Sequence, residues 1–106
     1  MLADPITQIA GLEPTYSARE AAALLGRSYS WLDQRVRNNE FVLRNGTAVQ
    51  PLRTPGGYRR FTVEMIKDMA FSSYRHRWFS MNKLKSALTE LAKAAYRDTG
   101  GCWIPG

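Results

Sequence analysis

Apolar residues recur at helical spacing in four stretches of the chain. The first predicted helix begins at Ser17, whose Ser-Ala-Arg-Glu sequence is a capping box, and it ends at Gly26. The second begins at Ser28 or Ser30, which are both suitable caps, and runs to about Asn38. Two short helices joined by a few residues around a glycine indicate a helix-turn-helix.

Two longer helices are predicted in the second half of the chain. Thr62 caps the first of them, which runs to about Tyr74, and Ser80 caps the second, which runs to about Arg97. The last helix has apolar residues at alternating spacings of three and four: Met81, Leu84, Leu88, Leu91 and Ala95. We expect this seam to pack mainly against the preceding helix and to leave some surface for self-association.

The segment between the two helix pairs is strand-like. Two turn signals interrupt it, Asn45-Gly46 and the Thr-Pro-Gly-Gly sequence at 54–57. The strand-like runs around these turns are 41–43, 48–50, 52–53 and 58–61. The pattern predicts a mainly α fold that contains a small antiparallel sheet with a projecting hairpin.

The 106 residues suit one domain, which we place at 16–97, between an irregular arm at 1–15 and a tail at 98–106. The single cysteine, Cys102, excludes an internal disulfide and a structural zinc site, which favours a reducing compartment. The first residues lack the pattern of a signal peptide, and no apolar run approaches a membrane span. We therefore expect a cytoplasmic protein without a membrane partner.

The positive charge is concentrated in one part of the chain. Lys and Arg outnumber Asp and Glu by 15 to 9, a net charge of +6. Between residues 17 and 61 there are eight arginines and no lysine, opposed only by Glu20, Asp33 and Glu40. Clustered arginine favours a polyanionic partner, because its planar fork suits phosphate oxygens and guanine edges.

Two motifs resemble the DNA-binding domain of MerR-type proteins. They are Tyr-Ser-Ala-Arg-Glu-Ala-Ala-Ala-Leu-Leu-Gly at 16–26 and Arg-Thr-Pro-Gly-Gly-Tyr-Arg-Arg-Phe-Thr at 53–62. The resemblance covers about residues 16–91 and implies a winged helix-turn-helix followed by a helix pair. The second helix departs from the family, which usually has Thr-Leu-Arg-Tyr-Tyr-Glu where this chain has Trp-Leu-Asp-Gln-Arg-Val at 31–36.

Among small MerR-like proteins, the chain is similar to the mycobacteriophage excisionases, or recombination directionality factors. This resemblance implies a sequence-specific, DNA-bending architectural protein in a bacterial host. Such a protein binds repeated attachment-site DNA cooperatively and directs an integrase toward excision. The alternative is a MerR-like transcription regulator without an effector domain, and a third class is a protein-interaction adaptor. Because the chain ends before a long dimerisation helix or effector region, we expect a monomer or weak oligomer that associates on adjacent DNA sites, without a small-molecule effector.

The expected partner is double-stranded DNA, contacted from the second helix, the first helix and the hairpin. Arg35 is expected to read bases in the major groove, and Arg59 to contact the backbone or minor groove. Arg19 is equally compatible with a phosphate contact and with a solvated position. The full set of expected contacts is Arg19, Ser28, Ser30, Gln34, Arg35, Arg37, Arg53, Tyr58, Arg59 and Arg60.

Other distinctive residues are better explained by packing than by chemistry. Phe61 and Trp31 are expected in the core, and Trp78 and Phe79 are expected to pack the fourth helix against the hairpin. His76 has no companion ligands, so neither a metal nor a cofactor is expected. Ser30, Ser72, Ser73 and Ser80 are interpreted as caps and surface residues. Without a catalytic constellation, the sequence does not indicate an enzyme.

Overall fold

The computed structural model describes residues 14–98 of the protein, and within this range it contains four helices and one small sheet. Residues 1–13 of the predicted arm and residues 99–106 of the predicted tail lie outside the described residues. In chain order, the elements are β1 (Thr15–Ser17), α1 (Ala18–Leu24), α2 (Tyr29–Arg37), β2 (Leu52–Arg53), β3 (Arg59–Thr62), α3 (Val63–Arg75) and α4 (Met81–Asp98). The mainly helical class is confirmed.

Each of the four described helices begins at a side-chain hydroxyl that accepts a backbone N–H from the first turn. The four capping residues are Ser17, Ser28, Thr62 and Ser80, each 3.1 Å from the nitrogen that it caps. Glu20 completes the capping box, since its Oε1 accepts from the Ser17 N–H at 2.8 Å. The predicted helix starts are therefore confirmed, and Ser28 is the cap of α2.

The turn between α1 and α2 depends on one glycine. Gly26 has φ +70°, a left-handed conformation that follows the Leu25 cap and that favours glycine. The Arg27 N–H returns to the Ala22 carbonyl at 2.9 Å, which satisfies one of the last carbonyls of α1. This short connection sets α1 and α2 against each other, with Ala21, Ala22, Leu25 and Leu32 in the core.

The sheet is antiparallel, with the order β1–β3–β2. Tyr16 on β1 pairs with Phe61 on β3, and both side chains are buried. Strand β1 was not predicted: Thr15 belongs to this strand and not to an irregular arm. The phenol of Tyr16 donates to Asp98 Oδ2 at 2.8 Å, and Asp98 is the last residue of α4 and not part of a tail.

The stretch from Phe41 to Gln50 does not form the two predicted strands. Only the pair Val42 and Ala48 makes an antiparallel bridge, around the turn at Gly46. Two backbone hydrogen bonds cross this turn, from the Leu43 N–H to the Thr47 carbonyl and from the Val49 N–H to the Phe41 carbonyl, both at 2.8 Å. Val42 bonds to α3 instead: its N–H donates to Ser72 Oγ at 3.0 Å, and its carbonyl accepts from Arg75. Side chains of α3 thus take the place of a strand partner for Val42, which sequence alternation alone could not indicate.

Helices α3 and α4 pack against each other and complete the core with Ile66, Met69, Leu84 and Leu91. Phe61 is fully buried, as predicted. Ser72 and Ser73, which were expected at the surface, are also fully buried. This prediction was wrong because both hydroxyls have partners inside the protein, so the cost of burying them is offset.

An aromatic cluster joins α2 to the start of α4. Trp31 contacts Phe41, Trp78 and Phe79, with ring centroids 5.7, 5.9 and 6.1 Å apart. Trp78 and Phe79 were expected to pack α4 against the hairpin, but their ring contacts are with α2 and with the segment that follows it. His76 stacks on Trp78 at 4.3 Å.

The buried hydroxyl of Ser72 provides a test of this arrangement. Ser72→Ala removes the acceptor for the Val42 N–H and is expected to lower the free energy of unfolding by about 1–3 kcal/mol. Ser73→Ala is the matched control, because the Ser73 hydroxyl only donates to the Met69 carbonyl within α3, and we expect a loss below about 1 kcal/mol. Urea denaturation measures both, and equal losses would contradict the proposed role of Ser72.

Candidate nucleic-acid interface

An open cleft of about 640 Å³ lies between the start of α1, the exposed side of α2 and the hairpin formed by β2 and β3. We call it the arginine cleft. Five arginines and one acidic residue are among its lining residues, which are Ser17, Ala18, Arg19, Tyr29, Asp33, Arg37, Arg53, Thr54, Gly57, Tyr58, Arg59 and Arg60. Since arginine is permanently charged, the cleft carries a strong excess of positive charge at neutral pH.

The hairpin tip is ordered by hydrogen bonds within residues 54–58. The Gly57 N–H donates to the Thr54 carbonyl at 2.9 Å, and the Tyr58 N–H donates to the Thr54 hydroxyl at 3.1 Å. Gly57 has φ +84°, which explains a glycine here. Arg53 crosses the tip to the Gly57 carbonyl at 3.0 Å. Tyr58 consequently projects from the tip with 75% of its surface exposed.

Asp33 ties the hairpin to α2. Its Oδ1 accepts from Arg59 at 2.7 Å, and its Oδ2 lies 3.0 Å from the Nε of Arg37, one turn further along α2. The hydrogen bond from Arg59, with the positive charge of Arg37, holds the pKa of Asp33 below its ordinary value. The carboxylate is therefore ionised at neutral pH and fixes two arginines in the cleft.

Arg60 and Arg19 are held in the cleft by contacts that do not involve Asp33. Arg60 is anchored to β1, where its guanidinium donates to the Thr15 carbonyl at 2.8 Å. Arg19 lies over the ring of Tyr29 at 4.9 Å, a cation–π contact between α1 and α2. Three elements thus hold arginines around one concavity, which is the geometry required to contact a charged chain at several points.

The structure brings together six of the ten predicted contact residues: Arg19, Arg37, Arg53, Tyr58, Arg59 and Arg60. The other four, Ser28, Ser30, Gln34 and Arg35, do not line the cleft. Ser28 is occupied as the cap of α2, and Ser30 and Gln34 are exposed on α2. Their contact with DNA stays a prediction.

Arg35 differs most from its predicted place. Its guanidinium lies over Trp31 at 5.6 Å and over Trp78 at 5.0 Å, and it reaches Glu40 at 3.4 Å. Within residues 14–98 its Nε is buried without a hydrogen-bond partner. In this conformation the side chain packs on the aromatic cluster, whereas Arg37 lines the cleft, and a contact of Arg35 with DNA stays a prediction.

The sequence interpretation missed two important residues of the cleft, Asp33 and Tyr29. Asp33 precedes Arg37 by four residues, and this spacing of opposite charges on a helix was a usable signal for their contact. No local signal indicated its bond to Arg59, which is distant in sequence. Tyr29 is 40% exposed and supports Arg19 through its ring.

Comparison with known families supplies a classification but not an activity. The model of a family described as a domain of unknown function, DUF7229, matches residues 6–94. The chain belongs to the DUF7229 family. Neither the curated proteins nor the solved structures contain a significant match.

Two further observations concern the described part of the DUF7229 chain. Among residues 14–98, no cluster of three or more His, Cys, Asp or Glu side chains is arranged to hold a metal ion. No helix in the same range has both the length and the apolar character to cross a membrane.

The Asp33 ion pairs make the stability of this DUF7229 chain depend on pH. Because the pKa of Asp33 is lower in the folded state than in the unfolded chain, the ion pairs stabilise the fold above about pH 4 and lose their effect as the carboxylate is protonated. We expect the Tm of wild type to exceed that of Asp33→Asn at pH 7, and the difference to shrink toward pH 3. Thermal unfolding monitored by circular dichroism checks this, and a difference that persists unchanged into acid would contradict it.

Proposed function

We propose that the protein is a DNA-binding architectural protein of the excisionase type, with a winged helix-turn-helix made of α1, α2 and the β2–β3 hairpin. In this proposal α2 enters the major groove and the hairpin acts as the wing. The observation that carries the proposal is the arginine cleft, in which α1, α2 and the hairpin together present Arg19, Arg37, Arg53, Arg59 and Arg60.

Several features of the cleft support a duplex as the ligand. Its cations are all arginines, which bind phosphate oxygens and base edges through two parallel hydrogen bonds. Tyr58 projects beside them, so that its phenol is free to reach a backbone phosphate. A single module of this size is expected to bury about 600–1,000 Å² on DNA, which suits several copies on neighbouring sites.

The resemblance to excisionases supports the architectural role. A hairpin that carries arginines beside a groove-binding helix contacts the duplex at more than one place, and the extra contacts that a bend permits repay the cost of bending the DNA. Binding of copies on repeated sites would then accumulate the bends, and an integrase would be the further partner. A MerR-like regulator is the competing assignment. It would bind a single palindrome, whereas an excisionase would bind several direct repeats.

We expect DNA binding by wild type to weaken steeply with salt. Each neutralised phosphate contributes about 0.9 to the magnitude of the slope of log K against log salt, so five arginines correspond to a slope of about −4.5. Arg37→Ala should reduce this magnitude by about 0.9. Fluorescence anisotropy with a labelled duplex selected from a random pool for tight binding, measured from about 50 to about 200 mM salt, gives the slopes.

Arg44→Ala is the matched control for Arg37→Ala. Arg44 is also exposed but lines a different groove, near the Asn45-Gly46 turn. Its removal lowers the net charge by the same amount and should leave the slope close to that of wild type. A flat salt response of wild type, or equal slope changes for the two variants, would contradict the assignment of the cleft as the DNA interface.

The excisionase assignment predicts cooperative binding and bending. We expect two adjacent direct repeats, selected from a random pool, to fill at a lower protein concentration than one repeat, and to shorten the end-to-end distance of the duplex. Energy transfer between dyes at the two ends of the duplex measures bending and occupancy together. Independent filling of the repeats without bending would reject the architectural role, and selection of a single palindrome would favour the regulator.

A further inference from the structure

A single carboxylate lies among the five arginines of the cleft, and its two oxygens have different partners. Asp33 Oδ1 accepts from Arg59 at 2.7 Å, and Oδ2 lies 3.0 Å from the Nε of Arg37. Asp33 and Arg59 have side chains only 18% and 15% exposed, so their contact is well shielded from solvent. Two of the five cations in the cleft therefore already have an anionic partner in the free protein.

This partner affects how a phosphate can bind. A phosphate that approaches Arg37 or Arg59 must displace the Asp33 carboxylate or lie close to it, and like charges repel at such distances. Arg37 has a side chain that is 69% exposed, so its contact with Asp33 is the one that a phosphate reaches first. The contact between Arg59 and Asp33 is shielded from solvent, so only a duplex that fits deeply into the cleft would replace Asp33 as the partner of Arg59.

The other three arginines of the cleft differ from Arg37 and Arg59 because no carboxylate contacts them. Arg19, Arg53 and Arg60 have no acidic partner within hydrogen-bonding distance in the described residues, so no carboxylate competes with a polyanion for them. Weak, sequence-independent attraction would come from these three. Tight binding would additionally require DNA phosphates to replace Asp33 as the partner of Arg37 and Arg59.

We propose that Asp33 is a specificity-determining residue that limits the binding of non-specific DNA, by acting as an internal competitor of phosphate for Arg37 and Arg59. This inference rests on the proposed DNA-binding function of the cleft. A duplex of random sequence does not compensate for the lost ion pairs, so these arginines stay with Asp33. A duplex that fits the groove-binding helix provides enough other contacts to release them.

The test compares Asp33→Asn with wild type on a short duplex of random sequence, by anisotropy over a range of salt. Asp33→Asn should bind this duplex more tightly, and its salt slope should steepen by about 0.9 for each arginine that is released, about 1.8 for both. Asp33→Glu keeps the charge and should retain the wild-type slope. Circular dichroism establishes that each variant is folded under the assay conditions.

Asp68→Asn is the matched control, because it makes the same substitution on α3, outside the cleft, and adds the same net charge. Equal effects of Asp33→Asn and Asp68→Asn would overturn the inference, since only net charge would then matter. Weaker binding by a folded Asp33→Asn would also overturn it, because Asp33 would then be ordering the arginines for DNA. Absence of wild-type binding at low salt would instead reject the proposed function itself.

A second measurement uses wild type and does not depend on the stability of a variant. The Nε–H signal of Arg37 in a nitrogen–proton correlation spectrum reports its contact with Asp33. We expect this signal to stay in place when a random duplex is added at moderate salt, and to move when the duplex is one selected from a random pool. Movement of equal size with both duplexes would overturn the inference.

Discussion

Every side chain of strand β3 has a partner on a different element. Arg59 bonds to Asp33 on α2, Arg60 donates to Thr15 on β1, Phe61 fills the core, and Thr62 caps α3. The backbone of the same strand is paired on both sides, with β1 and β2. This four-residue strand thereby determines where the hairpin, the first helix and the helix pair lie relative to one another.

The pairing of β1 with β3 fixes where α1 and α3 begin relative to each other. β1 leads directly into α1 through the cap Ser17, and β3 leads directly into α3 through the cap Thr62. Because the two strands are antiparallel neighbours, the two helices begin at opposite ends of one ladder. Tyr16 extends the connection to the far end of α4 through its bond with Asp98, and this burial and bonding raise the pKa of the Tyr16 phenol.

The two halves of the cleft differ in how their arginines are held. On the hairpin and β1 side, Arg53 and Arg60 donate to backbone carbonyls, which are neutral acceptors and do not cancel the charge. On the α2 side, Arg37 and Arg59 share a carboxylate. One part of the cleft therefore presents arginines without a carboxylate partner, and the other presents two arginines whose charge is partly offset by one carboxylate. Arg35 has a third arrangement, because its stacking on Trp31 and Trp78 makes it part of the packing around α2.

The sequence by itself determined the helices, because their signals are local. Each cap lies within three residues of the N–H that it accepts, and the apolar spacing of α1 to α4 reports which side is buried. The hairpin between β2 and β3 was equally predictable from its Pro-Gly-Gly turn.

Tertiary structure decided the rest, since the partners are distant in the chain: Tyr16 with Asp98, Val42 with Ser72, and Asp33 with Arg59. A short strand such as β1 carries too little pattern of its own to be recognised without its neighbour. The concentration of arginine was visible in the sequence, but only the fold separated Arg37 and Arg59, which line the cleft, from Arg35, which stacks in the aromatic cluster.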